Sequence, residues 1–172
     1  NTERLTLMAT SSNSGGIDPR GPRFGAGITA TLMLVTIGLG LQTPLAQGGI
    51  VDRAGEPAFI LLALLTALFA WGAFAGIKAH PYGILFATWV KPRLAAPSFL
   101  EPPEPPTFAQ LVGFLVSLAG VILHLAGVPY GLVVSASAAF IAAFLNSVFG
   151  LCLGCELYAL LVRARWVKGA SA

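Results

Sequence analysis

Charge is what this sequence lacks. Only 10% of its 172 residues are Asp, Glu, Lys or Arg, while 56% are hydrophobic. A soluble domain carries about 25% charged residues, so this chain cannot cover a water-soluble globule, and its apolar content excludes disorder. Sulfur and imidazole are as scarce, with two cysteines and two histidines. No Ser-His-Asp arrangement is visible. The Gly-x-Gly pieces lie inside apolar runs, not in a phosphate-cradling loop, which argues against hydrolase and nucleotide chemistry. The formal charge of +3 forms no basic stripe, so no nucleic-acid partner is expected.

What is present is apolar length, with a mean hydropathy of +0.81. A helix crosses a bilayer with about 20 apolar residues, and four stretches qualify: 25–46, 57–77, 108–127 and 130–162. Runs such as Ile60 to Phe69 are apolar on every side, without the alternation of barrel strands. The reading is an all-α polytopic membrane domain of four transmembrane helices over 17–163. A polar tail at 1–16 is expected to be mobile. It is not read as a signal peptide, because the apolar run begins late. A basic tail follows at 164–172.

Basic residues set the orientation. Arg4, Arg20, Arg23, Lys78, Lys91, Arg93, Arg163, Arg165 and Lys168 fall on one side, and Arg53 alone on the other. The positive-inside rule places both termini and the middle loop in the cytoplasm. Arg20 and Arg23 read as anchors to membrane lipid phosphates. In the interfacial loop 78–107, the piece 84–90 with Phe86 and Trp89 suits a helix lying in the membrane plane. The proline-rich piece 94–107 suits an extended, stiff connector. Pro22-Arg-Phe24 and Pro106-Thr-Phe108 each precede a span, which suggests a parallel two-plus-two repeat. Such a repeat sets His80 at the depth of the cysteines.

Both cysteines lie in Phe149-Gly-Leu-Cys-Leu-Gly-Cys-Glu156. At about 1.5 Å per residue, Cys152 is roughly 33 Å along a helix from Tyr130, near the cytoplasmic interface. If that helix continues, Val148, Cys152, Cys155, Glu156, Ala159 and Arg163 share a face. Asn146 then faces elsewhere, beside a small-residue ridge. Glu156 can take a thiol proton, or its charge can hold the thiols protonated. A disulfide needs Cβ atoms about 3.5–4.5 Å apart, closer than the roughly 5–6 Å of i, i+3 helical neighbours, and Gly150 and Gly154 permit the distortion. Activation by a helix N-terminus is absent unless a new helix starts at Cys152. Structural zinc needs four ligands, which Cys152 and Cys155 complete only with His80 and Glu156 or by pooling two pairs in a dimer, so no metal is assigned. The structural alternative is close packing through Gly72-x-x-x-Gly76 and Gly150-x-x-x-Gly154, with cysteine as a small apolar residue. His80, before Pro81, reads as a helix cap. His124 has no visible partner.

Asp18-Pro-Arg20, Arg23-Phe24, His80-Pro81, Lys91-Pro-Arg93, Phe108-Ala-Gln110, Leu145-Asn146 and above all Phe149 to Glu156 resemble a bacterial domain-of-unknown-function family, number 4395, over 17–163. The resemblance implies a small integral protein of the bacterial plasma (inner) membrane with no assigned activity. It also implies genes beside thioredoxin-like or rhodanese-type proteins, which are the expected partners. The expected function is a thiol-disulfide or sulfane-sulfur relay at the cytoplasmic face. In it Cys155 attacks, Cys152 resolves, Glu156 handles the proton, and His80 and Arg163 tune the site. The alternative is a non-catalytic accessory subunit of a larger membrane complex or a homo-oligomer, with structural cysteines. No cofactor motif is evident.

Overall fold

The computed structural model describes residues 15–43 and 48–166. The calls on 1–14 and 167–172, and the end of the first expected span at 44–46, lie outside the described residues. Seven α-helices are present: α1 (Arg20–Gln42), α2 (Ile50–Ala54), α3 (Pro57–Phe74), α4 (Pro81–Leu85), α5 (Glu104–Leu125), α6 (Gly131–Phe144) and α7 (Leu153–Arg163). A π-helical turn, Leu145–Phe149, prolongs α6. Among the described residues there is no strand, only an antiparallel bridge between Ile17 and Glu101. The chain is all-helical. α1, α3, α5 and Gly131–Phe149 are each long and apolar enough to cross a membrane.

These four helices form a ring in which α1 and α5 each pack on α3 and α6, and the diagonal pairs scarcely meet. Successive helices run antiparallel, so both short connections lie at one end. The inside is thin: Met33, Leu62, Leu65, Leu132, Ala136 and Ala139 make the buried core. α5 and α6 approach through small residues, and a Cβ on Gly120 would stand 2.5 Å from that of Ser135. Leu34, Leu64, Leu115, Ile122, Val134 and Ile141 stay exposed on the outside. Helices that are apolar all round, with only one face covered by protein, suit a lipid solvent. The chain is a multi-pass membrane protein.

The spans differ from the expectation at their ends. Proline stands in the first turn of α3 and α5, where its missing N–H leaves no bond unmade. The proline-rich connector is therefore shorter than expected, since Pro105 and Pro106 are already helical. The stretch 130–162 is not one helix: it ends at Phe149, and a separate helix begins at Leu153. Hydropathy cannot register that break, because Phe149, Leu151 and Leu153 are as apolar as the helix they leave.

At the short-connection end, His124 has a partner that the sequence hid. Its Nε2 lies 3.3 Å from Glu56 Oε2, and its ring stacks on Phe59. Arg53 donates to the Leu125 carbonyl at 2.9 Å and ties the two connections together. The other end is a collar made of the residues before α1, the long middle connection and the segment after α6. Arg20 is not a lipid anchor there: it pairs with Asp18 at 2.8 Å and donates to the Ala95 carbonyl at 3.0 Å. Phe86 is 4% exposed and packs on Phe24, whereas Trp89, at 62%, is exposed as expected.

Candidate functional site

The site begins with a glycine. Gly150 has φ +70, a left-handed conformation that side chains rarely adopt, and it ends the α6 segment. Arg23 of α1 reaches across to this terminus. Its guanidinium donates to the carbonyls of Ser147 and Val148, each at 3.4 Å, and faces the Gly150 Cα. A cation at a helix C-terminus satisfies carbonyls that the helix leaves free. Arg23 thus has carbonyl partners on the α6 segment while its side chain stays exposed.

Two residues on, Cys152 is the N-cap of α7, with φ −86 and ψ 96. Its Sγ accepts the Cys155 backbone N–H at 3.3 Å, and the two cysteines are joined in a disulfide with Cα atoms 5.2 Å apart. The condition set by the sequence is met: a new helix starts at Cys152, and the motif sits at its N-terminus. Val148 consequently shares no helix face with the cysteines. α7 lies directly on α5, because a Cβ on Gly154 would stand 2.5 Å from the Ala109 Cα. Tyr158 packs on Phe108 with ring centres 5.7 Å apart. Leu153, Leu157 and Leu160 line the exposed side of α7, an i, i+4, i+7 apolar stripe that suits an interfacial helix.

The other half of the molecule repeats this arrangement. Gly76, with φ +85, follows α3, and His80 is the N-cap of α4, where its Nδ1 accepts the Tyr82 N–H at 3.2 Å. The His80 Nε2 lies 3.1 Å from the Leu68 carbonyl, so the ring is neutral with its proton on Nε2. Burial holds its pKa below the usual histidine value, partly offset by that carbonyl. Both nitrogens are engaged and both sulfurs are bonded to each other. Cys152, Cys155 and His80 thus offer no free donor set for a metal in this state.

His80 and Cys152 line one cavity of about 690 Å³ at the collar end of the ring. Its walls are largely apolar, with Ala139, Val116 and Phe69 among them, and Gln110, Asn146 and Tyr82 add polar groups. The Tyr82 hydroxyl is buried, and burial raises its pKa, partly offset by the Thr29 hydroxyl beside it. Asp18 and Lys91 also border the cavity. The hydrogen bonds from Arg20 hold the Asp18 carboxyl below the ordinary carboxylate range.

The structure gathers some of the expected residues and separates others. His80 and Cys152 line the same cavity, and Cys155, bonded to Cys152, is outside its lining. Glu156 is exposed in the first turn of α7, beside the disulfide but outside the cavity lining. Arg163 closes the far end of α7, about 12 Å along the helix from Cys155, and takes no part in the site. Asn146 lies, as expected, beside the small-residue ridge of Ala139 and Ala143, and all three are in the cavity lining. Arg23, Gln110 and Tyr82 were missed. Asn146 carried one legible signal, a polar side chain inside an apolar span.

The model of the family described as "Domain of unknown function (DUF4395)" matches residues 17–163. No curated protein and no solved structure matches the chain.

Proposed function

We propose that this chain, which belongs to the DUF4395 family and takes no activity from that membership, is a thiol–disulfide relay at the collar face of a bacterial plasma membrane. The observation that carries the reading is the Cys152–Cys155 disulfide at the N-terminus of α7. A bonded pair is ready for exchange, whereas sulfane-sulfur carriage starts from a free thiolate. Arg20, Arg23, Lys78, Lys91, Arg93 and Arg163 gather at the collar, and Arg53 stands alone at the other end. The collar and both flanking segments are therefore cytoplasmic under the positive-inside rule.

The roles follow from the placement. The thiolate of a partner dithiol, of the thioredoxin-like kind, attacks Cys155 Sγ on the aqueous side. The sulfur–sulfur bond breaks, and Cys152 leaves as a thiolate toward which the Cys155 N–H already points. The second partner thiolate then displaces Cys155, leaving the partner oxidised and the pair as two thiols. Two electrons and two protons have moved onto the pair. Glu156, exposed beside Cys155, passes protons between the sulfur and water.

Thiol trapping in native membranes tests this reading: acid quench, then mass-tag alkylation with and without prior reductant. The expected result is a two-tag shift that appears only after reduction and that a protein dithiol reproduces. Normal relay activity in the variant with both cysteines replaced by serine overturns it.

A further inference from the structure

A pair that receives two electrons from a water-soluble dithiol must pass them on, and Cys152, unlike Cys155, lines the cavity. We infer that the cavity binds a membrane quinone and that this quinone is the electron acceptor of the Cys152–Cys155 pair; the inference rests on the relay reading above. Three observations carry it. The volume, about 690 Å³, lies in the range of pockets that enclose most of a small ligand, roughly 300–1,000 Å³. Its walls are apolar, with a few polar groups set among them. It is lined by residues of α1, α5 and α6, membrane-spanning helices whose outer faces are exposed leucine, isoleucine and valine, so it lies within the part of the molecule that meets the bilayer.

The chemistry of the lining narrows the class. A quinone head is a flat apolar ring with two carbonyl oxygens that accept hydrogen bonds. The Tyr82 hydroxyl is buried beside the Thr29 hydroxyl, and the Gln110 and Asn146 amides supply donors from α5 and the π turn after α6. His80 keeps its own nitrogens bonded to Leu68 and Tyr82, so it shapes the wall and does not compete for the ligand. An acyl chain would leave those donors unpaired, at a cost of about 1–3 kcal/mol for each buried group. In the redox step the Cys152 and Cys155 thiols lose two protons and two electrons as their sulfur–sulfur bond forms. The quinone gains both, and its two carbonyl oxygens become hydroxyls.

The test uses the full chain in nanodiscs, reduced with a soluble dithiol that is then removed, and mixed with the short-chain benzoquinone ubiquinone-1. Loss of quinone absorbance reports electron transfer, and tryptophan quenching reports binding. One quinol per protein is expected, together with return of the disulfide. Cys152→Ser keeps binding and abolishes quinol formation. Ala142→Phe, which fills the cavity, raises the KM for ubiquinone-1 at least tenfold, and the milder Asn146→Leu, which keeps the branched shape and removes the amide, raises it at least threefold. Ile141→Phe on the exposed face of α6 changes neither quantity. A pair that exchanges with the soluble dithiol but neither binds nor reduces ubiquinone-1 overturns the quinone and leaves the relay standing. A pair that no dithiol reduces overturns both. Equal quenching by wild type and Ala142→Phe means that the quinone binds the lipid-facing surface, and it overturns the cavity as the site.

Discussion

His80 and Cys152 hold equivalent positions in the two halves of the molecule. Each follows a membrane-spanning helix ended by a glycine of positive φ, Gly76 or Gly150. Each is the N-cap of the next helix, and each accepts a backbone N–H on its side chain. Both line the same cavity. The half with histidine is a closed hydrogen-bonded unit, and the half with cysteine carries the exchangeable bond. One structural solution is used twice, with a hydrogen-bonded histidine in one half and a disulfide in the other.

The two cysteines should differ in access. Cys155→Ser leaves a thiol facing the cavity, and Cys152→Ser leaves one on the aqueous side. Membrane-impermeant maleimide applied to inside-out vesicles is expected to label Cys152→Ser at least threefold faster than Cys155→Ser. Equal rates would contradict the division of roles between the two sulfurs.

Gly150→Ala should act on both stability and redox state. A left-handed conformation costs an alanine about 1–2 kcal/mol, so the midpoint in a thermal aggregation assay falls. Relief of that strain extends α6 through the motif and moves the cysteine Cβ atoms toward helical spacing, about 5–6 Å. The oxidised fraction seen by mass tagging should fall as well. A destabilised variant that remains fully oxidised would show that the break does not serve the disulfide.

Gly154→Leu places a side chain where the Ala109 backbone stands, 2.5 Å from the new Cβ. Backbone does not yield as a flexible side chain does, and overpacking typically costs about 1–3 kcal/mol. α7 should lift from α5, seen as faster proteolysis after Arg163 or Arg165. Wild-type protection in the variant would rule out this packing.

The stability of the collar should depend on pH through His80. Burial lowers its folded pKa from an unfolded value of about 6.5, so the unfolded chain binds more protons. This contribution is complete above pH 6.5 and is lost as pH falls from there toward the folded pKa. The thermal midpoint is expected to drop between pH 7.5 and 5.5, and His80→Gln to shrink that drop. An unchanged difference between the two pH values in the variant would assign it to other groups.

Arg163→Gln should leave the redox state and the exchange rate of the pair as they are, since the residue lies one α7 length from the sulfurs. A shifted exchange rate in the same trapping assay would return Arg163 to the site.

Much of this molecule was legible in its sequence because a membrane imposes coarse rules. Apolar length set the class and the number of spans, and the cysteine spacing singled out Cys152 and Cys155. His80-Pro81 announced a helix cap, and Pro22-Arg-Phe24 with Pro106-Thr-Phe108 announced the repeat. Three things depended on tertiary structure. The break at Gly150 is a matter of φ, and a glycine in an apolar run reads equally as packing or as punctuation: Gly72 and Gly154 pack, while Gly76 and Gly150 terminate. The partners of Arg23 and His124 lie on other segments, so these pairings had no local signal. The cavity belongs to no segment, because it exists only where α1, α5, the end of α6 and the collar meet around Cys152.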